Sequence, residues 1–314
     1  MDYQQEILSG NRRALAKAIT FVENGHEEGR ALVSRLFKHC GHAQVIGITG
    51  PPGSGKSTLT GKLTQALRKR GQTVGVILID PSSPFTGGAI LGDRIRMPDI
   101  VTDPGVFIRS MGTRGSLGGL SSATADVIKL MDVYGFDVIL IETVGIGQAE
   151  TDIVENADTT VVVSVPGLGD DIQTIKAGVM EIGDLFVVNK ADRDGAERVV
   201  NEINMMLDLA PRTGWRPPVV KTVALKTEGI DRLLEELDRH EGHLRSSGQL
   251  AARRQARYRR ELLDQVEIQL RARLFSLFDA AEINGFVQSI SQGEIDPYRC
   301  AQQIVMRLTQ HNQS

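Results

Sequence analysis

Residues Gly50 to Ser57 read GPPGSGKS, directly after the apolar run VIGIT and directly before a helical stretch that begins at Lys56. The spacing G-x-x-x-x-G-K-[ST] between a strand and a helix is the arrangement that cradles nucleotide phosphates. Gly53 and Gly55 let backbone N–H groups turn inward with no Cβ in the way, and Lys56 adds a mobile positive charge. The Ser57 hydroxyl can join a Mg²⁺ shell. Ser54 and Thr58 complete the expected phosphate-side set.

The base is read farther along the chain. LFVVNKAD ends a strand with Asn189, Lys190, Ala191 and Asp192, the N-K-x-D element of GTP-binding proteins. Asp192 offers two acceptor oxygens to the ring and exocyclic N–H donors of guanine, the Lys190 stem can lie over the base, and Asn189 can brace the loops. Adenine lacks that donor pair. Charged hydrogen bonds contribute about 1.5–3 kcal/mol each, so the expected ligands are GTP and GDP rather than adenine nucleotides. Ala224, Leu225 and Lys226, after the last strand, resemble the further loop that meets guanine from its other side.

Two strands end in carboxylates, VILID at Asp80 and VILIE at Glu142. In ETVGIGQ, Glu142 is read as the metal-side acid and Gly145 as the N–H that meets the γ-phosphate. Lys56, Glu142 and Gly145 are thus the expected catalytic set, with Ser57, Glu142 and Asp93 around the metal. Asp80 and Asp93 can each approach Mg²⁺ or its waters, or serve as plain N-cap or turn aspartates. Ile146 stands where Ras-like enzymes carry a water-orienting glutamine, so slow intrinsic hydrolysis is expected unless Gln148 or a partner completes the site. Arg94, Arg96, Arg109 and Arg114 are either charge stabilisers or solvated side chains.

These residues need a scaffold. Leu15, Ala18, Ile19 and Val22, then Leu32, Leu36 and Phe37, predict a helical arm over Gly10 to Lys38. From Val45, short apolar runs alternate with helices: VIGIT, TVGVILID, DVILIE, TTVVVSV, LFVVN and PVVKTVA. Such alternation predicts an α/β fold of the P-loop NTPase kind, a mainly parallel sheet with helices on both faces. A helix between TVGVILID and DVILIE favours successive parallel crossovers over a Ras-like hairpin. After Gly229 the chain is helical and charged, and Leu262, Val266, Leu270, Leu274 and Phe278 form an apolar stripe. The expected organisation is an arm over 1–43, a nucleotide domain over 44–245, and a helical dimerisation region over 246–314.

With 314 residues, 41% of them hydrophobic, the chain can bury a sizeable core. A formal net charge of −3 gives no electrostatic reason to expect nucleic acid or an anionic membrane as partner. Arg253, Arg254, Arg257, Arg259 and Arg260 read as a solvated or dimer-facing surface rather than a nucleic-acid site. Two cysteines, Cys40 and Cys300, leave no disulfide framework, and the polar start has no apolar secretory core, so a cytoplasmic location is expected.

Taken in order, GPPGSGKS, DPSSPFTGGAILGDRIRM, ETVGIGQAE, PGLGDDIQTIKAG and NKAD closely resemble the MeaB-type, ArgK-like GTPases associated with methylmalonyl-CoA mutase. The resemblance runs from about Ala14 to the C-terminus. It implies a metallochaperone-like GTPase with an all-parallel core. It further implies a homodimeric chaperone that couples GTP hydrolysis to loading, protection or reactivation of an adenosylcobalamin-dependent acyl-CoA mutase. By the same resemblance Asp170, Asp171, Gln173 and Lys176 belong to a switch that signals nucleotide state. Pro51 is a minor departure from the family loop, and the middle of Ile108 to Leu120 differs enough that no role is carried over.

A nickel metallochaperone for hydrogenase or urease would share this core, and would show a His-rich arm or a Cys/His pair near the switches. His39-Cys40-Gly41-His42 and His240-Glu241-Gly242-His243 fall at helix ends, where the dipole favours histidine. A kinase would need a catalytic loop of the H-R-D type, and the sequence has none.

Overall fold

The structure, a computed structural model, describes residues 2–80, 98–112, 119–143, 156–167, 182–209, 214–278 and 280–310. The chain divides into two units, Met1–Arg257 and Tyr258–Ser314. In the first, strands β1 (Gln44–Thr49), β2 (Val74–Asp80), β3 (Val106–Gly112), β4 (Val138–Thr143), β5 (Thr159–Ser164), β6 (Leu185–Val188) and β7 (Val219–Lys221) form one sheet in the order β3-β2-β4-β1-β5-β6-β7. Every neighbouring pair is parallel, as the crossover pattern predicts.

The described helices are α1 (Tyr3–Leu8), α2 (Arg12–Glu23), α3 (Glu27–Leu36), α4 (Lys56–Lys69), α5 (Pro98–Val101), α6 (Gly119–Tyr134), α7 (Ala196–Leu209), α8 (Ile230–Ser246), α9 (Gln249–Leu277), α10 (Ala280–Ser291) and α11 (Pro297–Gln310), with 3-10 turns at Phe37–His39 and Ala224–Lys226. Strands β4 and β5 are buried along their whole length, so both faces of the sheet must be covered. Alternation along the strands divides the cover. Ile46, Ile48, Val76, Leu78, Leu140, Val161 and Val163 pack with Leu59, Leu63 and Leu67 of α4 and Leu233, Leu234 and Leu237 of α8. Val45, Ile77, Ile79, Ile139 and Ile141 pack with the arm and with Val127, Leu130 and Met131 of α6. Val162, Phe186 and Val188 lie with Val199, Ile203 and Leu207 of α7.

The arm differs from a single helix. Asn11 starts α2, its Oδ1 accepting from the backbone N–H of Arg13 at 2.9 Å and of Ala14 at 3.2 Å. Asn24 closes it, and Gly25 takes φ 69°, so the chain turns before α3 begins. Leu15, Ala18, Ile19, Val22, Leu32 and Leu36 are buried as their spacing predicts, but Phe37 is 46% exposed, because it starts the 3-10 turn and leaves the helical stripe.

Strand β3 is absent from the sequence-based pattern, because Arg109 and Ser110 interrupt its apolar run. The structure supplies the reason the arginine is tolerated. The Arg109 guanidinium donates to the Glu23 carboxylate and, at 3.2 Å, to Thr20 Oγ1, both on α2. It is an ion-paired tie between arm and sheet, not a solvated side chain. Arg12 of α2 donates to Val106 O and, at 3.4 Å, to Pro104 O, engaging carbonyls along this edge strand.

Taken by itself, the second unit contains the rest of α9, then α10 and α11. Phe278 and Cys300 are buried in it, and Phe278 meets Phe286 edge-on with ring centroids 6.2 Å apart. Leu262, Leu263, Val266, Leu270 and Phe275 of α9 are exposed.

Candidate functional site

The loop between β1 and α4 is shaped by backbone rather than side chains. Gly50 takes φ 143°, and a Cβ there would stand 2.1 Å from Val163 O on the neighbouring strand. Gly53 and Gly55 take φ 76° and 88°, left-handed values that favour glycine. With Gly55 as its cap, α4 begins without a side-chain acceptor for its first N–H groups, which is the condition for receiving an anion. Ser54 is buried and Thr58 half-buried on either side of this start. Lys56 is 6% exposed, and its Nζ donates to Gly50 O at 2.7 Å and Pro51 O at 2.9 Å, which folds the ammonium over the loop it belongs to.

Glu142, near the end of β4, reaches the same place because β1 and β4 are in register there, Ile48 opposite Glu142. The Ser57 hydroxyl donates to Glu142 Oε1 at 2.6 Å. A hydroxyl and a buried carboxylate at that separation are hard oxygen donors of the kind Mg²⁺ takes, so the pair fits that ion. One step below, Thr143 Oγ1 and Thr49 Oγ1 lie 3.2 Å apart and join the two strand ends. Asp80 ends β2 two strands away from β1, opposite Gly112, and its side chain lies outside the described residues.

The end of β6 meets the loop from the other side. The buried Asn189 Nδ2 donates to Ser54 O at 2.9 Å, while its Oδ1 accepts from Thr222 Oγ1 and from the Ala224 N–H, both at 3.1 Å. One side chain therefore ties together the ends of β6 and β7 and the loop after β1. Lys190 takes φ 54° and its Nζ donates to Gly53 O at 2.7 Å. Asp192 is partly exposed, with Lys226 Nζ 3.3 Å from its Oδ2. Ala224 is buried and Leu225 is 81% exposed. Asp93, Gly145, Ile146, Gln148, Arg94, Arg96, Arg114, Asp170, Asp171, Gln173 and Lys176 lie outside the described residues. Thr222 carries no motif, and only its position after the last strand could have drawn attention to it.

The opposite end of the sheet holds a charged cluster of another kind. Asp158 and Asp184 stand immediately before β5 and β6. Arg253 donates to both Asp184 oxygens at 2.8 Å and to Asp158 O at 2.9 Å. Arg254 and Arg257 reach the Asp158 carboxylate at 2.7 and 3.1 Å, and Arg254 also donates to Ala43 O at 2.9 Å, just before β1. These three arginines are inward-facing ties, not a solvated surface, because each meets a buried carboxylate. The signal available in the sequence was an acid placed directly before a strand on two occasions. Burial opposes ionisation of Asp184, but hydrogen bonds from His240 and Arg253 outweigh it and hold its carboxyl below the ordinary range.

His240 has no accessible surface. Its Nδ1 lies 2.9 Å from Thr159 Oγ1, its Nε2 3.3 Å from Asp184 Oδ1, and the Trp215 ring centroid is 4.9 Å away. It is a core histidine set by those partners, not by a helix dipole. Cys40 and His39 are half-buried and His42 is exposed. Among the described residues no three His, Cys, Asp or Glu side chains gather to hold a metal ion, and no helix is long and apolar enough to cross a membrane.

Comparison with known proteins gives a consistent result. The family model described as methylmalonyl Co-A mutase-associated GTPase MeaB matches residues 15–278. A Pyrococcus abyssi protein named as a GTPase is 51% identical over 97% of this chain and 95% of its own. The mouse methylmalonic aciduria type A homolog, mitochondrial, is 36% identical over 81% of this chain and 66% of its own. Among solved structures, that of an LAO/AO transport system kinase superposes with a TM-score of 0.74 at 27% identity, covering 98% of this chain and 97% of that one.

Proposed function

The chain belongs to the MeaB family of methylmalonyl Co-A mutase-associated GTPases, and from that premise we propose that it hydrolyses GTP to GDP and phosphate as a chaperone of an adenosylcobalamin-dependent acyl-CoA mutase. The observation that carries the nucleotide part is the direct bond from Asn189 to Ser54 O, which brings the NKAD segment and the glycine loop into one site.

In this reading Gly53, Ser54, Gly55 and Thr58 present backbone N–H groups to the phosphates, and Lys56 leaves the carbonyls of Gly50 and Pro51 for the β- and γ-phosphate oxygens. Ser57 and Glu142 hold Mg²⁺, which when bound neutralises charge that builds on the phosphate oxygens. Asp192 accepts from guanine, Lys190 lies along the base, and Ala224 and Leu225 border it. Gly145 meets the γ-phosphate, Asp93 stands on the metal side, and Asp170, Asp171, Gln173 and Lys176 pass the nucleotide state to the client. Residues 44–245 then form the nucleotide domain, 1–43 its arm, and 246–314 the region that pairs two copies in a cytoplasmic homodimer. The exposed apolar side chains of α9 support that last assignment.

The test is GTP turnover by the purified protein, alone and with an adenosylcobalamin-dependent acyl-CoA mutase from the same organism. A low basal rate raised about tenfold or more by the mutase is the expected result, since Ile146 stands in the sequence where Ras-like enzymes carry the water-orienting glutamine. A rate indifferent to the mutase overturns the chaperone part of the reading and leaves the GTPase part standing.

A further inference from the structure

The base-side loop carries a second charge that the N-K-x-D element does not include. Lys226 Nζ lies 3.3 Å from Asp192 Oδ2, and among the described residues it is the only charged partner of that carboxylate. The turn that bears it is fixed. The Lys226 N–H donates to Val223 O at 2.9 Å, Thr227 closes the turn at φ 65°, and Val223 pairs with Glu228 in an antiparallel bridge. The Ala224 N–H donates to Asn189 Oδ1, so the turn is tied to the segment that carries Asp192.

We propose that Lys226 is a positioning residue for guanine selection, holding the Asp192 carboxylate in the plane that meets the base. The proposal rests on the assignment of Asp192 to guanine. Two parallel N–H donors require both carboxylate oxygens to be aligned, whereas rotation about the Cβ–Cγ bond of aspartate is broad. An ammonium 3.3 Å from Oδ2 biases that rotation through its charge and leaves acceptor sites on both oxygens for the base. The pair is exposed, 59% for Lys226 and 43% for Asp192, so its effect is modest and sensitive to salt.

The experiment is calorimetric titration of the full-length protein with GDP and xanthosine diphosphate. Lys226→Met is expected to weaken GDP binding about three- to fivefold at low salt, an effect that shrinks at high salt, while Lys226→Arg retains most of the affinity. In an Asp192→Asn background, Lys226→Met is expected to leave binding of xanthosine diphosphate unchanged, because the partner charge is gone. An equal loss in both backgrounds would mean that the lysine stem packs on the base or that its charge attracts phosphates, and would overturn the proposal. Unchanged or tighter GDP binding by Lys226→Met would overturn it too. If Asp192→Asn alone fails to favour the xanthine nucleotide, the base-site assignment itself falls. If that switch works and Lys226→Met is silent, only the role of Lys226 falls.

Discussion

At the scale of single residues the site depends on which side chains carry a unique chemical capability. Asp192→Asn replaces two acceptors with one acceptor and one donor, which suits the exocyclic C2 oxygen that xanthine carries in place of the guanine amino group. GTP affinity is expected to fall about ten- to hundredfold, while that for xanthosine triphosphate rises. Competition between the two nucleotides measures this directly, and unchanged GTP binding would remove Asp192 from the base site. Such residues are legible in a sequence because phosphate and guanine chemistry restricts residue types over short windows. The loop at Gly50 to Ser57 and the NKAD segment are of that kind. Thr222, which fixes Asn189 through a single hydrogen bond, is not: any small hydroxyl residue after any strand looks the same until the strand order is known.

Among the elements, the charged cluster before β5 and β6 has a measurable pH signature. The Asp184 carboxyl is held below its ordinary value of 3.8 in the folded protein. Its contribution is therefore fully present above that value and disappears as the pH falls through the lower folded value. Asp184→Asn is expected to destabilise the protein by about 2–4 kcal/mol at neutral pH, since it leaves Arg253 without its counter-charge. In urea unfolding, that gap from wild type narrows as the pH falls below about 4. A gap of constant size across that range would show that packing, not charge, links these elements. The helix α2 was readable because its apolar face repeats along it, and β4 because its apolar run is unbroken. Strand β3 was hidden because its arginine is neutralised by Glu23, 86 residues earlier in the chain, a pairing that no local pattern contains.

For the whole molecule, α9 exposes Leu262, Leu263, Val266, Leu270 and Phe275. Light scattering of the intact protein is expected to give about twice the chain mass of 34.2 kDa, and Leu262→Glu with Leu270→Glu about one chain mass. A monomeric wild type would remove the assignment of α9 to self-association. The single tryptophan of the chain supplies an optical probe. The Trp215 indole N–H donates to Asp184 O, and its ring lies against His240 and His243. Asp184 and Asn189 stand at the two ends of β6, roughly 16 Å apart by the rise of an extended strand. Intrinsic fluorescence therefore observes one end of that strand, and a fluorescent guanine nucleotide would observe the other. A change in tryptophan emission that precedes nucleotide release would mean that the protein loosens from the end opposite its ligand.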